Sequence, residues 1–181
     1  MEEGIQIGIY GSDEDCNILT FGGRRANWKI NVALRKQEEM ACAQRFCNDV
    51  HPELTNLTGM LQDSEVDVLA ESSDKRSALK LQITSVWPPD FWEPLARGAV
   101  DKQISRKELA DLMHAAVEKK LGKWSSSRDV ILLLDTHPVG IDARCLIKLR
   151  ADKDLLKEIA GDQQIFAEIW LVDQNGAVPI S

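Results

Sequence analysis

Between residues 65 and 86 the chain carries polar side chains whose spacing places them on one face of two neighbouring strands. In Ala78 to Val86, Leu79, Leu81 and Ile83 point one way and Lys80, Gln82 and Thr84 the other, because successive side chains of a strand alternate faces. In the stretch before it, Val66 and Val68 share a face while Asp67 lies opposite with Glu65 and Glu71. Ser72-Ser73-Asp74-Lys75-Arg76 between the two has turn chemistry, so Asp67 is expected to meet Lys80 and Gln82 on the same side of a hairpin. A cross-strand ion pair there is worth about 0.2–1 kcal/mol. The same grouping is also of the kind that carries chemistry, since a helix bearing Glu38 and Glu39 precedes it and adds carboxylates.

Other patterns fall short of a site. Gly22-Gly23-Arg24-Arg25 is a Gly-plus-basic loop able to touch phosphate, but it lacks the spacing of a P-loop and reads first as a turn. Gly8-x-x-Gly11-Ser12 follows a strand without a helix pattern behind it, so it is not a dinucleotide fingerprint. No small organic cofactor is expected. Trp87-Pro88-Pro89-Asp90-Phe91-Trp92 reads as the packing of a long loop, with base stacking as the alternative. Asp135-Thr136-His137 lies where α/β folds place ligands, yet a lone His without a Ser or Cys motif reads as structural. Cys16, Cys42, Cys47 and Cys145 lack CxxC spacing and do not cluster with His51, His114 or His137, so neither zinc nor a disulfide framework is indicated.

The elements that must position the polar face follow from hydrophobic periodicity. Ile5, Ile7 and Ile9 alternate within Gly4 to Tyr10, and Trp28, Ile30, Val32 and Leu34 alternate likewise, giving two strands. Lys36 to Asn48 carries Met40, Ala43 and Cys47 at helical spacing and is expected to stop before Pro52. Glu65 to Glu71 and Ala78 to Val86 are the hairpin strands. Ser105-Arg106-Lys107-Glu108 has the form of a capping box, opening a helix through Leu121 that Gly122 ends. Val130 to Leu134 is a continuous apolar run, the mark of a central strand buried on both sides. After a Thr136 to Gly140 loop, Asp142 caps one helix and Asp152 to Ala160 forms another ending at Gly161. Phe166 to Val172 is a strand, and Asn175-Gly176 turns it into an edge strand, Val178 to Ile180, open to pairing with another subunit. The class is α/β: a mixed central sheet flanked by helices, in a single domain over 1–181 with an N-terminal strand and loop at 1–27 and a core from about 28.

A helix with a Glu, a hairpin with an Asp on its first strand and a polar-x-polar pair on its second, then a helix and a buried strand, resembles the PD-(D/E)XK restriction-endonuclease-like superfamily. The resemblance covers roughly Lys36 to Val172. It implies a nuclease in which the Asp and an acid hold divalent metal, usually Mg²⁺, and a Lys orients the attacking water. Asp67 matches the family Asp, Gln82 falls at the Lys position and Lys80 where the second acid belongs. An ammonium repels Mg²⁺, which takes oxygen ligands anchored by one or two carboxylates. The ligand set implied is therefore Glu39 or Glu38 with Asp67 and the amide oxygen of Gln82, holding Mg²⁺ or Mn²⁺. Lys80, or Lys119 or Lys120 from the helix after the hairpin, would meet phosphate. The expected function is metal-dependent hydrolysis of DNA; the alternative is a catalytically silent member kept as a binding or regulatory module.

Composition bounds these readings. The 181 residues hold 22 Lys and Arg against 29 Asp and Glu, a formal charge of -7, so no whole-molecule positive field draws nucleic acid or membrane. The acid is concentrated: Met1 to Gly23 and Asp49 to Asp74 contain no Lys or Arg, while Arg24 to Cys47 has six bases against Glu38 and Glu39. Apolar runs are far shorter than the roughly 20 residues a membrane span needs, and no secretory leader is evident, so a cytoplasmic protein with unpaired thiols is expected.

Overall fold

The computed structural model describes residues 15–20, 32–61, 64, 66–86, 103–121, 129–136, 139–141, 143–161 and 165–181. The expected Gly4 to Tyr10 strand, the Gly22 to Arg25 loop, the Trp87 to Trp92 segment, Gly122, His137 and Asp142 lie outside them.

The elements in order are β1 (Asp15–Thr20), α1 (Val32–Val50), β2 (Leu54–Gly59), β3 (Val68–Ser72), β4 (Ala78–Ser85), β5 (Gln103–Ser105), α2 (Arg106–Leu121), β6 (Val130–Asp135), β7 (Val139–Ile141), α3 (Ala143–Ala151), α4 (Lys153–Ala160), β8 (Glu168–Asp173) and β9 (Gly176–Pro179). Six strands form one mixed sheet in the order β2-β3-β4-β6-β8-β9. β2, β3 and β4 are an antiparallel meander, β4, β6 and β8 run parallel, and β9 returns antiparallel on β8. A three-stranded antiparallel sheet, β5-β1-β7, sits apart from this pairing. Among the described residues no helix is long and apolar enough to cross a membrane.

Every residue of β6 is buried, as its apolar run requires. Ile131 and Leu133 pack with Cys42, Phe46, Val68, Ala70, Leu81 and Ile83 beneath α1. Val130, Leu132 and Leu134 face the other way and pack with Leu109, Met113, Val117, Leu156 and Ile159 of α2 and α4. The period of two in β6 thus separates two cores, one on each face.

Local chemistry sets the element ends. Ser105 N–H donates to Glu108 Oε2 at 2.7 Å and Glu108 N–H to Ser105 Oγ at 3.2 Å, the reciprocal capping box expected there. Asp152 accepts from Leu155 N–H at 3.1 Å to open α4, and Gly161, at φ 63°, closes it. In the β3–β4 turn Ser72 Oγ donates to Asp74 Oδ1 at 2.7 Å and accepts from Ser77 N–H at 3.1 Å.

Several expectations are corrected. Val32 and Leu34 open α1 rather than end a strand: the alternation there is short, and Ala33 to Met40 are mostly strong helix formers. β2 lies where no strand was expected, because Leu54 and Leu57 are its only large apolar residues and sit three apart. Pairing along β3 holds it, with a bulge between Leu54 and Asn56. Val139 and Gly140 form β7 rather than a loop. The β8–β9 hairpin turns on Gln174 and Asn175, with Gly176 (φ 131°) already paired to Asp173, one residue earlier than the Asn-Gly signal suggests. Val178 on β9 is fully buried in the core beneath α2 and α4, while β9 itself stays at the edge of the six-stranded sheet.

The capping box and the central strand give a stability test. In denaturant unfolding, Ser105→Ala should cost about 1 kcal/mol, and Leu132→Ala, fully buried, on the order of 2–5 kcal/mol.

Candidate functional site

Asp67 is fixed by backbone before its side chain acts. Its N–H donates to Leu81 C=O of β4 and its C=O accepts from Met60 N–H just after β2, both at 2.9 Å, which extends the pairing of β3 with both neighbours one residue beyond the strand. Its Oδ2 then accepts from Gln82 Nε2 at 2.5 Å and from the Ile83 backbone N–H at 2.7 Å. An ionised carboxylate can only accept, so the Gln82 amide presents its nitrogen to Asp67. Gln82 is 4% exposed, so the polar face of β4 is closed to solvent at this residue, although Lys80 on the same face is exposed. Asp67 and Gln82 meet as expected.

Lys80 does not join them. It pairs with Asp129 just before β6, both side chains being about half exposed or more, and that bond holds the Asp129 carboxyl below its ordinary value. The partner lies 49 residues away in sequence. Nothing in local pattern pointed to it, although the parallel register Lys80↔Val130 places them side by side.

Glu39 comes to this region from α1. Arg35, one turn earlier, donates from Nε to Glu39 Oε1 at 2.9 Å. Burial first, and then the negative charge of Asp67, push the Glu39 carboxyl above its ordinary value; the Arg35 hydrogen bond and charge and the Lys120 charge pull it part of the way back. Carboxylates from α1 and from the hairpin, with an ammonium from the last turn of α2, thus share one electrostatic neighbourhood. Of the two lysines proposed on that helix, Lys119 is exposed and it is the charge of Lys120 that reaches Glu39. Glu38 is half-buried on the same helix. Among the described residues no group of three or more His, Cys, Asp or Glu is arranged to hold a metal ion. The donors gathered here are two carboxylates and an amide that faces one of them.

A second polar cluster lies at the carboxyl ends of the parallel strands. Asp135 is buried and pairs with Arg45 Nη2 of α1 at 2.9 Å. The Cys42 thiol lies against both, and burial followed by the Asp135 charge raises it well above the ordinary value, which keeps it protonated and inert. Thr136 Oγ1 donates to Asp173 Oδ2 at 2.8 Å, and Asp173 Oδ1 accepts from Asn175 at 3.0 Å. These groups bind inward to one another, while His137, the residue read as structural, lies outside the described residues. The Arg45–Asp135 pair was legible only as a demand: an Asp ending an all-apolar strand needs a cation from the helix above.

Compared with protein-family models, curated proteins and solved structures, the chain matches none.

Two measurements check this electrostatic account. A raised Glu39 binds its proton more tightly in the folded state, so stability falls as pH rises from the ordinary value of 4.5 through the raised one. Glu39→Gln should therefore be more stable than the parent at neutral pH, the gap closing below pH 4.5. Arg45→Met strips the cation from Asp135, whose side chain is 5% exposed, and should cost about 3 kcal/mol or more in denaturant unfolding.

Proposed function

We propose that the chain is a restriction-endonuclease-like, metal-dependent phosphodiesterase acting on DNA, with Glu39 and Asp67 as its metal-holding acids. One observation carries this reading: burial first, and then the charge of Asp67, push the Glu39 carboxyl up, so acids from α1 and from the hairpin share one electrostatic neighbourhood. Such a pair is relieved by a divalent cation, and Mg²⁺ or Mn²⁺, which keep several waters and take one or two carboxylates, suit it. The run of α1, a β2–β3–β4 meander, α2 and a parallel β6 follows the order of elements that the resemblance implies.

The hydrogen bond to Asp67 moves the proposed correspondence along by two residues. Gln82, and not Lys80, stands beside Asp67, so it takes the place of the family's second acid and Thr84 that of its lysine. Lys80 is spent on Asp129. On α2 it is Lys120 whose charge reaches Glu39. Bound metal would polarise the phosphodiester and lower the pKa of a water. Glu39 and Asp67 would hold it.

The neutral Gln82 favours a second reading, a nuclease-like module that binds without cutting. Calorimetry with Mg²⁺ and Mn²⁺, alongside nicking of a supercoiled plasmid, separates the two. The proposal expects saturable binding and nicking that EDTA stops, with both lost in Asp67→Ala. Metal binding without nicking supports the silent module, and no metal binding removes the enzymatic reading.

A further inference from the structure

Resting on the metal-site reading above, we infer that Gln82 is a positioning residue for Asp67 and not itself a metal ligand. Asp67 Oδ2 receives two N–H groups, Gln82 Nε2 at 2.5 Å and Ile83 N at 2.7 Å. One comes from a buried side chain and the other from the strand backbone, and together they fix both the rotation and the tilt of the carboxylate. Among the described residues both hydrogen bonds fall on the same oxygen, which leaves Oδ1 as the atom with lone pairs to offer a cation. To set Oε1 beside Asp67, where Nε2 now lies, the Gln82 amide must turn over. That would break its bond to Asp67 and set an oxygen against an oxygen at a side chain only 4% exposed. Gln82 therefore does for Asp67 what an outer-shell partner does for a ligating side chain: it orients the ligand without touching the ion.

The experiment uses the full chain, Mg²⁺ alone as the probe, and Gln82→Met, which keeps the volume and removes the donor. Circular dichroism verifies that the variant is folded. Calorimetry should then show Mg²⁺ affinity lower by about 10–100-fold, the loss typical of an outer-shell partner. In the parent, the side-chain amide protons of Gln82 should exchange slowly with solvent in ¹⁵N-labelled protein and stay protected when Mg²⁺ is added. Loss of that protection on adding Mg²⁺ means that the amide turns over to ligate, and overturns the inference. Unchanged Mg²⁺ affinity in folded Gln82→Met overturns it as well, while leaving the metal site standing. Failure of the parent chain itself to bind Mg²⁺ overturns the metal reading and this role with it. Should Gln82→Met not fold, the amide-exchange measurement on the parent decides alone.

Discussion

Val130 to Asp135 is a strand with no solvent face, and most of the architecture answers to that fact. Both sides of β6 must be covered, so one helix layer cannot suffice: α1 lies over Ile131 and Leu133, α2 and α4 over Val130, Leu132 and Leu134. Its neighbours β4 and β8 run parallel to it, and parallel neighbours need crossovers. α2 follows β4 and leads into β6, while α3 and α4 lead from β6 to β8. The helices that shield the strand are thus the connections its pairing already demands. Only α1 stands outside this economy, preceding the meander and covering the opposite face.

The same constraint disposes the charged groups. A strand apolar throughout can carry charge only at its ends, and here both ends do. Asp129 lies at the exposed end and takes Lys80 from β4. Asp135 lies at the buried end and takes Arg45 from α1. Between them β4 is held in register, Leu81 and Ile83 turned to α1 and Gln82 away from it. Asp67, paired through its backbone to Leu81, then has one long polar side chain within reach, Gln82, and the backbone N–H of Ile83. The geometry at Asp67 therefore derives from a strand two places along the sheet.

What the sequence made legible tracks how local each signal is. The capping box at Ser105, the α4 ends at Asp152 and Gly161, the β3–β4 turn and the burial of β6 are carried by residues close in the chain, and each is found in place. The edge strand β2 was not legible: Thr55, Asn56, Thr58 and Gly59 are exposed, and what holds them is the backbone of β3, which leaves no mark in side-chain pattern. β1, β5 and β7 are short and pair across long separations. At the candidate site the hairpin brought Asp67 to Gln82, although Asp67 precedes β3 and Val66 and Val68 pack into opposite cores rather than on the one face expected, and helical placement put Glu39 on α1. Strand alternation did not separate Lys80 from them, because Asp129 is a neighbour only once β4 and β6 pair in parallel.

That separation changes what the chain's charge implies for a polyanion. A formal -7 argues against long-range attraction, while Arg24 to Cys47 is locally basic. Yet Arg35 and Arg45 of that stretch are bonded to Glu39 and Asp135, and Lys80 to Asp129, so part of the basic charge is matched within the fold. Paired charges project little field beyond a few ångströms once water and salt screen them. Near Asp67 the positive charge reaching Glu39 comes from Arg35 and Lys120, set against the carboxylates of Glu39 and Asp67. Among the described groups that act on Glu39, two cations stand against two carboxylates, so the metal proposed at this site would add positive charge that these groups do not supply to a phosphate.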